Sequence, residues 1–394
     1  MFPGPPASPG GPAPHNERSP VASGQPRLRV RQGHSFSSDA DEAVGELAAQ
    51  IDQPGIRSSL VFFSDDYDPL KLGQALQSRL KGTVIGCTTA GQITGAGFQR
   101  GGISGASLAG NELLATPFLI HPLSTAAEQI EQIAGDIQKQ LAQSGLPAFG
   151  FLLVDGLSMK EELLISTLYM ALGDIPIIGG SAGDSLRFKQ TFVYHQGRLL
   201  QDAAVLTLFT TSLPFHIIKH QHFLPTSTRL VVTAADPGRR LVNEINGEPA
   251  ARAYAQLIGV TPERLDSVTC SRHPLMLRIG NDYYVRSVAG VEPDGSLRFF
   301  CAIDTGLVLT IGQGDSAVEL LGRELRQVRE KMGEPALIIG CDCILRRLEM
   351  EEQGIDHQIG QLLAASKVVG FSTYGEQCNS VHVNQTFMGV AIAG

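Results

Sequence analysis

Three segments of the chain repeat one pattern of hydrophobic and polar positions. Each opens on a continuous apolar run: "SSLVFFSDD" (58–66), "FGFLLVDGL" (149–157) and "PALIIGCDC" (335–343). Each run leads into a stretch of helical period: "DPLKLGQALQSRLKG", "SMKEELLISTLYMALGD" and "ILRRLEMEEQGIDHQIGQLLAAS". A second apolar run follows and ends in small residues: "TVIGCTTAGQI" (83–93), "IPIIGGSAGDS" (175–185) and "KVVGFSTYGE" (367–376). Unbroken β-branched runs suit strands buried on both faces. Strand, helix and strand in that order predict a parallel crossover unit of about 30 residues.

Alternating, turn-punctuated stretches lie between these units. "QTFVYHQGRLLQDAAVLTLF" predicts a hairpin turning at Gln196-Gly197. "PLMLRIGNDYYVRSVAGVEPDGSLRFFCAI" predicts turns at Gly280-Asn281-Asp282 and Pro293-Asp294-Gly295. Helix starts are expected after Thr261 and Asp315, acting as caps. The expected fold class is α/β in the mixed α+β sense: two domains of repeated strand-helix-strand units with added β-hairpins. The expected domains span 27–212 and 213–394. Residues 1–26 hold eight prolines and four glycines, a composition that predicts a disordered tail.

Composition narrows the function. With 394 residues, 43% hydrophobic and 18% charged, the chain can bury a full core. A net charge of −8 argues against nucleic acid or an anionic membrane as partner. No apolar run reaches the roughly 20 residues of a spanning helix. The six cysteines, Cys87, Cys270, Cys301, Cys341, Cys343 and Cys378, follow no disulfide spacing. With no signal peptide at the start, a cytoplasmic protein with reduced thiols is expected.

"PFHIIKHQHF" (214–223) concentrates His216, His220 and His222 in a chain with ten histidines. Its residue types predict a strand, on which these three and Ile218 share a face. Read one way, the imidazoles meet solvent and carbonyls. Read the other way, one of them ligates a metal beside an apolar wall. A hydrolytic zinc motif would need a Glu after the first His, which is absent. Cys341 and Cys343 are too few for structural zinc. The small-residue loops offer Thr88, Thr89, Ser181, Asp184 and Glu376 either as pocket lining or as tight packing where units meet. Neither a Gly-x-x-x-x-Gly-Lys phosphate loop nor Gly-x-Gly-x-x-Gly is present. "GGSAGDS" is not a Gly-x-Ser-x-Gly elbow, and no Ser-His-Asp set can be assembled, so an enzyme is not expected.

The motifs "VIGCTTAGQI", "PIIGGSAGDSLRF", "INGEPAARAYAQLIG", "HPL…YYVRSVAG" and "VVGFSTYGEQ…HVNQTF" run in an order that resembles the FIST sensory protein family across about residues 35–394. Within it, "HQHFLPTSTRLVVTAADPGRRLVNEINGEPAA" and "GCDCILRRLE" are most similar to the bacterial nitric-oxide-sensing haem proteins. That resemblance implies haem b, nitric oxide as ligand, and a partner histidine kinase that feeds cyclic-di-GMP and biofilm signalling. The expected axial ligand is His220, then His222, then His216. Arg286 and Tyr284 are expected beside the cofactor, with Tyr254 in a closely matching stretch. The alternatives are a FIST sensor of a small organic ligand such as an amino acid, and a hydrolase with an unrecognised site. A homodimer is left open.

Overall fold

The structure, a computed structural model, describes residues 27–394. The tail expected over 1–26 lies outside the described residues. The threefold echo in the sequence becomes three six-stranded sheets of one plan. In the first, Ile56–Phe63 runs parallel to Thr83–Thr88 through helix Pro69–Arg79. Ile103–Ala109 lies antiparallel on the other side, with Arg29–Ser35 beyond it. The second repeats this with Ala148–Val154, helix Glu161–Leu172, Ile177–Ser181, Ala204–Thr211 and Leu113–Ile120. The third uses Pro335–Cys343, Val368–Thr373, Phe387–Ala393 and Phe215–His220.

Each repeat then gives its short hairpin to a neighbour. Gln92–Thr94 and Gly97–Gln99, from the first repeat, extend the third sheet. Glu376–Cys378 and Val381–Val383, from the third, extend the second sheet. Val193–His195 and Arg198–Leu200, from the second, extend the first sheet. The exchange closes a ring. The loops that carry the chain across hydrogen-bond to one another: Ala90 N–H to Ser372 O, Gly183 N–H to Thr88 O, and Ser181 N–H to Gly375 O.

The inner faces of the three sheets share one apolar core. It includes Phe62, Cys87, Phe149, Phe151, Ile178, Cys341, Phe371 and Met388. Helices cover the outer faces, among them Ala40–Ile51, Ala126–Ser144 and Ala317–Met332. A β-rich region over 223–314, with helices Ala250–Ile258 and Ser267–Arg272, is inserted between Phe215–His220 and Ala317–Met332 and has its own core.

The mixed α+β class and the expected hairpins are present. The division at 212/213 falls between two repeats, yet two sheets contain strands from both sides of it. The exchanged strands pair with ladders on the other side of it. Residues 344–366 form two helices, Ile344–Gln353 and Asp356–Ala365, broken at Gly354 with φ 68. Ser316, not Asp315, caps Ala317–Met332 by accepting from Glu319 N–H. Thr261 precedes only a short 3-10 turn, and Asp266 caps the next helix. All six cysteines are unpaired and buried. No helix among the described residues is long and apolar enough to cross a membrane.

Candidate functional site

The hairpin given by the third repeat carries polar side chains into the interior. Gln377, His382 and Asn384 lie on or just after its strands and are almost wholly inaccessible. Strand exchange seats them against Ser181 of the second sheet. The inserted β-region closes over them: Arg286 Nη1 donates to the His382 carbonyl, and Ser287 Oγ donates to Gln385 Oε1 at 3.0 Å. Arg240 clamps this region to the first turn of helix Glu161–Leu172, with Glu161 at 2.7 Å and Glu162 at 2.9 Å.

The hydrogen-bond inventory of this patch is incomplete in a specific way. Gln377 Nε2 donates to Ser181 Oγ at 2.9 Å and faces His382 Nδ1 at 3.4 Å. His382 Nδ1 is then the acceptor, and its proton sits on Nε2. Burial, helped by Arg240 and Arg286 against the pull of Glu162, lowers His382 to about 4, so the ring is neutral at pH 7. His382 Nε2, Arg286 Nε, Gln377 Oε1 and both amide atoms of Asn384 have no partner. Buried polar atoms are rarely left so, because each costs free energy until something fills it. Gly375 packs directly against them: a Cβ there would stand 2.2 Å from His382 Cε1, 2.7 Å from His382 Nε2 and 3.2 Å from Asn384 Nδ2.

The expected site residues separate into groups. Ser181, Glu376 and Arg286 belong to this patch or its hairpin. Thr88, Thr89 and Asp184 sit on the crossing loops and serve the backbone. Thr88 Oγ1 accepts from Phe192 N–H at 2.9 Å, and Thr89 Oγ1 accepts from Gly91 N–H at 3.2 Å. Asp184 accepts from the N–H groups of Phe188, Lys189 and Gln190 and from the Tyr374 hydroxyl. At these three positions the side chains tie the loops together. The crevice beside the loops, about 110 Å³, touches Thr89 but none of the other four.

The histidines do not share one environment. The strand ends at His220, so His222 lies in the turn before Phe223 and not on a common face. Its Nε2 meets Glu349 Oε1 at 3.1 Å. His216 is half-buried, and its pKa is lowered by burial and by Lys331. Ile218 between them is sealed in the outer core of the third sheet, which includes Leu321 and Leu325. His220 is buried, its Nε2 is unpartnered, and burial with the charges of Arg346 and His222 lowers it to about 2. Tyr284 lies apart under Lys219, whose Nζ is 3.7 Å from the ring centre. Tyr254 donates to the His273 carbonyl at 2.6 Å, a packing role. Among the described residues no group of three or more His, Cys, Asp or Glu is placed to hold a metal ion.

Gln377, His382, Asn384 and Arg240 are site residues that sequence reasoning did not single out. For the first three the signal was the run of polar residues in "EQC…HVNQT"; Arg240, in "DPGRRL", had no such signal.

Glu376, on the same hairpin, is fully buried. It accepts from the hydroxyls of Thr373 and Thr386, and burial raises its pKa from 4.5 to about 8. The folded state therefore holds this proton where the unfolded chain has released it. Its contribution is complete below about pH 4.5 and is lost as pH rises toward 8. Glu376→Gln is expected to flatten the fall in stability over that window, as read by urea unfolding at a series of pH values. An unchanged slope would place the titrating group elsewhere.

Comparison with known proteins adds three findings. The FIST N domain family matches residues 59–248. The FIST C domain family matches residues 250–379. An uncharacterized protein of Methanocaldococcus jannaschii is 24% identical over 395 aligned positions, taking in 88% of this chain and 75% of that protein.

Proposed function

The chain belongs to the FIST family, a FIST N domain followed by a FIST C domain, and on that premise we propose that this signal-transduction sensor takes a small organic ligand at the Gly375–His382–Asn384 patch. The observation that carries this reading is the set of unpartnered buried atoms there. Arg286 Nε, His382 Nε2 and the Asn384 amide nitrogen offer donors to a carboxylate. Gln377 Oε1 and Asn384 Oδ1 offer acceptors to an ammonium or amide. An α-amino acid matches both sets. The patch joins the second sheet, the exchanged hairpin and the inserted β-region. A ligand bound there has differential contacts with docked and undocked arrangements of that region, which is what shifting such an equilibrium requires.

The test is a thermal-shift and calorimetric screen of the common α-amino acids. At least one is expected to raise Tm, with about 2.7 kcal/mol of stabilisation at a hundredfold excess over Kd. Gly375→Ala, whose methyl would displace the His382 ring, and Arg286→Gln are each expected to abolish the response. If none of the amino acids shifts Tm, or if Gly375→Ala responds like the parent, the reading fails.

A second reading, a haem b sensor of nitric oxide acting on a histidine kinase, draws on the unpartnered, neutral Nε2 of His220. The ligand atom fits and the surroundings do not. The cleft beside His220, about 360 Å³, is lined by Lys219, Gln221, Asp282, Tyr283, Leu320, Arg323 and Glu324, with little apolar wall for a macrocycle. Reconstitution with haem separates the two readings. A Soret band that moves on adding nitric oxide and is lost in His220→Ala supports haem, whereas a protein that stays colourless removes it.

A further inference from the structure

A second group of buried polar atoms lies outside the amino-acid patch. Strand Pro335–Cys343 runs directly into helix Ile344–Gln353, whose first turn buries Arg346 completely. Asp342, four residues earlier on the strand, accepts from Arg346 Nη1 at 2.7 Å. The Nε and Nη2 nitrogens of the same guanidinium have no partner. Those two N–H groups form the side edge through which arginine holds a carboxylate by two parallel hydrogen bonds. Asp342 occupies the other side and leaves this fork idle.

Further unpartnered atoms belong to the neighbouring side chains. They are His220 Nε2, His222 Nδ1, Gln221 Oε1, Asp342 Oδ2 and Glu349 Oε2. Burial holds His220 neutral, with the Arg346 charge among the causes, so its ring can donate or accept according to tautomer. His220 and Gln221 also line the cleft of about 360 Å³ that opens to solvent beside Arg323 and Lys219. Of this cluster His220 and Gln221 line the cleft, and Arg346, Asp342, His222 and Glu349 do not; a buried polar cluster left half satisfied has a high free-energy cost unless a guest completes it.

We propose that Arg346 and His220 form a second ligand site, reached through this cleft, that takes a small monoanionic carboxylate on the Nε–Nη2 edge of Arg346. Asp342 Oδ2 and Glu349 Oε2 select within that class. Their charge opposes dianions, and they accept from a hydroxyl, so a small hydroxycarboxylate is bound in preference to a bare one. The site shares no residue with the amino-acid patch.

The experiment uses the full chain, with glycolate, formate and sulfate as probes, followed by ligand-observed NMR titration. Glycolate is expected to bind more tightly than formate, and sulfate not to bind. Arg346→Lys keeps the positive charge and loses the fork, and is expected to weaken glycolate by about tenfold or more. Asp342→Asn removes a facing negative charge and, in protein that circular dichroism shows to be folded, is expected to tighten it. Gly375→Ala is expected to leave glycolate binding unchanged. The proposal is overturned if neither glycolate nor formate binds the parent protein, if a folded Asp342→Asn fails to tighten binding, if a folded Arg346→Lys binds equally well, or if Gly375→Ala abolishes binding.

Discussion

Replacing Arg346 by Met is expected to destabilise the protein by about 3–5 kcal/mol, because it strands the Asp342 carboxylate in the interior. Both partners of this pair are at 0% exposure, so water cannot take over when one is removed. Burial already pushes the Asp342 carboxyl up, against the opposing charge of Arg346. Without the arginine, the carboxyl is driven further toward its protonated form. The folded state then holds a proton that the unfolded chain gives up, so the deficit shrinks as pH falls and grows as it rises. The double variant Asp342→Val with Arg346→Met removes both charges and is expected to recover much of the loss. Chemical denaturation at pH 5 and pH 8 reads all three effects. A single variant within about 1 kcal/mol of the parent at pH 8 would mean the pair is solvated rather than buried.

Phe371→Ala is expected to cost about 3–5 kcal/mol, the range for emptying a large buried aromatic site. Phe371 belongs to the third sheet and stacks on Phe62 of the first, with ring centres 4.7 Å apart. It also stands against Gly180 of the second, where a Cβ would come within 2.8 Å of its ring. One side chain thus touches all three sheets. Because each sheet is completed by its neighbour's hairpin, the loss is expected to appear as a lower midpoint of one cooperative transition. Calorimetry and circular dichroism check this. A variant in which the first two repeats keep the parent's midpoint while the third melts earlier would show that the ring is not the cooperative unit.

Secondary structure was legible wherever one local rule acted alone. The paired apolar runs gave the parallel strands, and Gln196-Gly197 and Asp294-Gly295 gave their hairpin turns. Where two rules competed, the outcome differed. Gly354, at φ 68, ended one helix inside a span with continuous helical period. Ser316 took the cap from Asp315, and the strand carrying His216 and His220 stopped before His222.

What the amino-acid sequence determined by itself is the repeat: three strand-helix-strand units ending in small-residue loops, with turn-punctuated β-rich stretches between them. Periodicity and turn chemistry are local properties, and a chain carries them wherever it goes. What the tertiary structure decided is the partner of each hairpin. Short strands have unpaired N–H and C=O groups on both edges, and nothing in their own residues says which sheet will satisfy them. The ring of exchanges made that choice. It brought Gln377, His382 and Asn384 from the end of the chain to Ser181 and beneath Arg286. A polar patch built from residues about 200 positions apart in sequence exists only once those edges have closed.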